Sequence, residues 1–99
     1  MQLTDQGRQK IEELARRYAV SADAVMTMLQ AVVNGHGSMA QFSHPELGGS
    51  GQWMQGGMTM VGDMFNYGLK SRVDGLCSEL SQLLGQQPFV PPPASTQSQ

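Results

Sequence analysis

Cysteine occurs once, at Cys77, which excludes an internal disulfide and points to a reducing compartment. Charge is scarce as well: Asp, Glu, Lys and Arg make up 14% of the residues, with a formal net charge of -2. Six basic residues among 99 leave no cationic stripe for a nucleic-acid backbone or an anionic membrane surface. No apolar run approaches the roughly 20 residues of a membrane span. The opening Met1-Gln2-Leu3-Thr4-Asp5 lacks the basic and apolar segments of a secretory signal. A cytoplasmic protein is the expectation.

The missing charge is unevenly missing. From Ala24 to Leu69 the only formally charged residues are Glu46 and Asp63. Solvated surfaces carry Lys, Arg, Asp and Glu throughout, so a long uncharged span that also holds Trp53 and several methionines reads as surface kept against other protein. Chain size points the same way. A core drawn from so short a chain buries only about 60 to 65% of the surface its unfolded form exposes, and oligomerisation would offset that deficit.

Helical signals open the chain. Thr4 is placed to cap a helix whose apolar stripe is Ile11, Leu14, Ala15 and Tyr18, with charged residues outside it. Ser21 is placed to cap a second helix, apolar over much of its circumference and ended by Asn34 and Gly35. Further on, Val61, Phe65, Leu69, Val73, Leu76, Leu80 and Leu83 recur at spacings of three and four, interrupted near Gly68. The fold expected is all-α, a small bundle of three to five helices with a Gly/Met-rich loop and an extended Pro-rich C-terminal tail. Its domain covers residues 1–85, with helices at about 5–18, 22–34, 58–67 and 69–84, and residues 86–99 form a Pro/Ser/Gln-rich tail or linker.

Two resemblances follow from these residues. Leu14, Ala15, Tyr18, Ala19, Val20, Ser21, Val25 and Met28 resemble the core of a helix-turn-helix over residues 11–29. That resemblance implies a second helix reading the major groove. However, Ala22, Asp23, Ala24, Thr27 and Gln30 would face the DNA without one cation among them. The run Met39-Ala40-Gln41-Phe42, His44-Pro45-Glu46-Leu47-Gly48-Gly49, Gly51-Gln52-Trp53 and Gly56-Gly57-Met58 through Asn66 resembles the N-terminal region of bacterial SHOCT-domain-containing proteins. This implies a bacterial cytoplasmic protein without catalytic residues. No counterpart of the SHOCT domain itself is expected in residues 86–99, which read as a polar tail.

Chemistry-bearing residues are present but not assembled. Ser43 and His44 are adjacent, which turns their side chains apart, and Cys77 falls inside a helical pattern beside Leu76 and Leu80. His36, His44, Cys77, Glu46 and Asp63 include no close metal-ligand pair, and no glycine cluster has the Lys and Ser/Thr of a phosphate loop. Met54, Met58, Met60 and Met64 offer soft sulfur to Cu(I), yet Met58, Val61, Met64 and Phe65 also share one helical face, where methionine serves packing. No catalytic, cofactor or metal residue is therefore assigned. The expectation is a non-catalytic module for homo-oligomeric self-assembly, with Phe42, Trp53, Met54, Met58, Met60, Met64, Phe65 and Phe89 as interface residues. It foresees no nucleic acid, membrane or cofactor, and leaves a heterologous protein partner open. A helix-turn-helix-like nucleic-acid module is the alternative, and Cu(I) or small-ligand binding by the clustered methionines is third.

Overall fold

A computed structural model describes residues 4–63 and 65–86. Two helices come first, α1 at Asp5–Tyr18 and α2 at Ala22–Asn34. Thr4 Oγ1 accepts the Gly7 amide at 2.9 Å and Ser21 Oγ accepts the Ala24 amide at 3.1 Å, so each helix starts on a hydroxyl cap. Between them Ala19 takes the left-handed conformation with φ of 58°, and its N–H closes back on the last carbonyls of α1.

The expected all-α bundle is corrected at Met39. There the chain enters strand β1, Met39–His44, followed by a short 3-10 turn at Pro45–Leu47 and strands β2, Gly49–Met54, and β3, Thr59–Val61. They form an antiparallel sheet in the order β1-β2-β3, which makes the fold α+β. Where a helix is expected at 58–67, Thr59–Val61 is strand β3 and helix resumes only at Tyr67, and the expected Gly/Met-rich loop is largely strands. Among the described residues the one helix after the sheet is α3, Tyr67–Gln86. Asn66 Oδ1 accepts the Leu69 amide at 3.0 Å, so α3 begins here and Gly68 lies in its first turn rather than at a bend.

Period-two patterning explains the sheet. Ala40 and Phe42 are buried while Gln41 and Ser43 are exposed. Across the register Ala40 faces Trp53, Phe42 faces Gly51, and Gly51 faces Val61, so one side of the sheet is apolar. Gly51 has no side chain because the Phe42 ring occupies the space; a Cβ there would come within 2.5 Å of Phe42 Cζ. The apolar side packs on helices, with α2 against β1 and α3 against β3 and β2, and α1 lies across α2 and α3. Trp53 is the largest fully buried side chain, and its indole N–H donates to Asp74 Oδ1 at 3.0 Å, so burial leaves no unpaired donor.

Candidate protein-binding surface

The side of the sheet away from the helices carries no charged residue. Alternation places Met39, Gln41 and Ser43 of β1 there, and the register sets them opposite Met54, Gln52 and Ser50 of β2. Met60 of β3 faces Gln52. At the hairpin tip the Met54 amide donates to the Met58 carbonyl at 3.3 Å, so Met58 stands across from Met54. Gly56 permits that tip: the Gly57 amide closes on the Met54 carbonyl at 3.0 Å, and Gly56 has φ of +71° at the third turn position. The outer face therefore grades from methionine at the hairpin end, through glutamine, to serine. A shallow open hollow of about 660 Å³ lies over Gln41, Ser43, Ser50, Gln52 and Met60.

The interface residues expected from sequence divide by this geometry. Met54, Met58, Met60 and Phe65 are 47%, 67%, 51% and 80% exposed, the methionines at the hairpin end of the outer face and Phe65 beyond the other end of β3. Phe42 and Trp53 point into the protein's own core, 6% and 1% exposed. Met64 and Phe89 lie outside the described residues. Two further apolar residues were not selected by sequence reasoning: Met39, half-buried at the β1 end of the methionine row with its side chain beside Gly35, and Tyr67, 70% exposed at the start of α3, with the Lys70 ammonium over its ring. Alternation of Met39 with Gln41 and Ser43 is the signal that would have found the first.

Polar groups elsewhere serve structure. His44 Nδ1 accepts the Glu46 amide at 3.1 Å, which puts the imidazole proton on Nε2, where it donates to Asp23 Oδ2 at 2.8 Å. Ser21 Oγ donates to Glu46 Oε2 at 2.6 Å while accepting the Ala24 amide. Hydrogen bonds from the Ser21 hydroxyl and amide hold the Glu46 carboxyl below its ordinary range. Both nitrogens of His44 and the hydroxyl of Ser21 are thus engaged in tying the 3-10 turn to the start of α2. On the far side Glu79 accepts from the Tyr18 hydroxyl and pairs with Arg17. Burial pushes the Glu79 carboxyl up, but the hydrogen bonds from Tyr18 and Arg17 and the Arg17 charge outweigh it and leave the carboxyl below the usual range.

Cys77 is fully buried, and desolvation, with Asp74 adding its charge, pushes its thiol up to about 12, opposite to what a nucleophile needs. Among the described residues no three His, Cys, Asp or Glu side chains are grouped to hold a metal. No helix among them is long and apolar enough to cross a membrane. Compared with known proteins, the chain matches no family model, no curated protein and no solved structure.

Proposed function

We propose that this chain is a non-catalytic interaction module that self-associates through the outer face of its sheet and the exposed Phe65 and Tyr67 beside it. The observation that carries this reading is the exposure of Met54, Met58 and Met60 on a sheet face without charged residues, with Phe65 and Tyr67 exposed on the chain that follows β3. A second copy suits such a face because an uncharged surface meeting itself incurs no like-charge repulsion, and glutamine and serine donate as well as accept.

Size sets the strength. Three strands about 4.8 Å apart, β1 and β2 six residues long and β3 three, give a footprint below roughly 300 Å². A stable dimer hides about 800 Å² per partner. Phe65 and Tyr67, each able to bury about 150 to 250 Å², are needed to approach that figure. The association is therefore weak and concentration-dependent.

The helix-turn-helix alternative draws less support. Six residues of α2 are buried, and its exposed positions Ala22, Asp23, Gln30 and Asn34 include one acid and no cation to meet phosphates. On the reading preferred here the protein works in the bacterial cytoplasm, the setting implied by the resemblance of residues 39–66 to SHOCT-domain-containing proteins. Light scattering from micromolar to millimolar protein tests the proposal. Mass rising with concentration is expected, and a monomer throughout the range rules it out.

A further inference from the structure

We propose that the hairpin end of the outer sheet face is a soft-metal site, taking Cu(I) through the thioethers of Met54, Met58 and Met60 with Met39 as a fourth donor. In the sequence, Met58 shares a helical face with Val61, Met64 and Phe65, which fits packing on a helix as well as ligation. The sheet removes that helix, and with it a packing role inside the chain: Met54, Met58 and Met60 are about half exposed or more and lie outside the core.

The strands also supply the geometry. Met54 and Met58 are directly across from each other, as are Met39 and Met54. Such opposed Cα atoms lie about 4.5 to 5.5 Å apart. Met58 and Met60 are two residues apart on one strand, hence on one face and separated by roughly 7 Å. Methionine has three rotatable bonds and no branching, so sulfurs starting from these positions can turn towards a shared centre above Met54. Three or four neutral sulfur donors suit a soft monovalent cation. The same set excludes Mg²⁺, Ca²⁺ and Zn²⁺, which draw on carboxylate, imidazole or thiolate ligands that this face does not carry. The competing soft ligand is Cys77, whose thiol is buried and held protonated.

This proposal requires no second copy. Full-length protein is loaded with Cu(I) anaerobically under reducing conditions and challenged with a Cu(I) chelator, in parallel with the Met54→Leu/Met58→Leu double variant and with Cys77→Ala. Leucine keeps the volume and apolarity of methionine, so fold and any self-association persist while sulfur is lost. Retention of Cu(I) by the native chain and by Cys77→Ala, with loss in the double variant, is expected. Methyl NMR with Ag(I) as the probe should shift the signals of Met39, Met54, Met58 and Met60 and leave Met26 and Met28 in place, while Zn²⁺ shifts none of them. The site is overturned if native protein yields all its Cu(I), if the double variant retains as much, or if Cys77→Ala abolishes retention.

Discussion

Trp53 joins the two halves of the fold at a single residue. Its ring fills the space between sheet and helices, and its N–H reaches Asp74 Oδ1, which also accepts from Thr59 Oγ1 at 3.3 Å. Trp53→Ala should therefore act on folding before it acts on any partner: removing a buried aromatic of this size costs about 3 to 5 kcal/mol, a large share of a small domain's stability. Chemical denaturation checks this, and a variant as stable as the native chain would contradict the placement of the ring. Tyr18 offers a test by pH. Burial, the hydrogen bond to Glu79 and the Glu79 charge raise its phenol from 10.0 to about 12. Because the unfolded chain releases this proton first, the Tyr18 contribution is complete below 10.0 and is lost as pH rises from there through about 12. Melting temperature should fall across that interval, and Tyr18→Phe should flatten the fall. Glu79 works in the opposite direction: its lowered carboxyl stabilises above the ordinary carboxylate range and the contribution disappears as pH drops below it.

At the scale of elements, the glycines of the hairpins separate two kinds of constraint. Gly56 has a left-handed backbone and nothing within 4 Å of a would-be Cβ, so Gly56→Ala meets strain alone. It should cost about 1 to 2 kcal/mol, measured by denaturant titration, and D-alanine should restore the loss. At Gly51 a Cβ would meet both the Phe42 ring and the Met60 carbonyl at 2.5 Å, so Gly51→Ala displaces packing and backbone together and should lower stability further than Gly56→Ala. These glycines also explain what was hard to read in the sequence. Helices α1 and α2 were legible because Thr4 and Ser21 cap them and their charged and apolar faces separate. Strand β2, Gly-Ser-Gly-Gln-Trp-Met, has one large inward residue and few β-formers, so its periodicity rests on Trp53 and on an aromatic contributed by another strand. Val61, Phe65 and Leu69 stand four apart, as on a helix, yet Val61 and Leu69 are buried and Phe65 is 80% exposed. A turn between a strand and a helix happened to reproduce helical spacing. The uncharged stretch was visible in composition, but the side of the sheet each residue faces depends on register. That is why Phe42 and Trp53 lie inside the core while Met39 falls on the outer side of β1, half-buried.

Over the whole molecule, charge and apolar exposure separate. Most charged residues belong to α1 and α3, where Arg17, Glu13 and Glu79 form ion pairs, whereas the outer sheet face has none and carries the exposed methionines. Such a division predicts that stability and association can be uncoupled by mutation. Phe65→Ser and Met60→Glu alter side chains 80% and 51% exposed, so each should leave monomer stability within about 0.5 kcal/mol. Association should respond differently. Loss of an aromatic contact or introduction of a carboxylate at the centre of an interface weakens binding by about 1 to 2 kcal/mol or more, close to tenfold in affinity. In a Phe65→Ser/Met60→Glu double variant the new carboxylates of two copies would also face one another across a self-pairing surface, adding repulsion that salt relieves. Sedimentation equilibrium should then show monomers at concentrations where the native chain associates, with recovery on raising salt, and the melting curve of the dilute protein should not move. Unchanged association would place the contact elsewhere on the molecule. A lowered melting temperature at dilution would instead show that Phe65 and Met60 hold the monomer together.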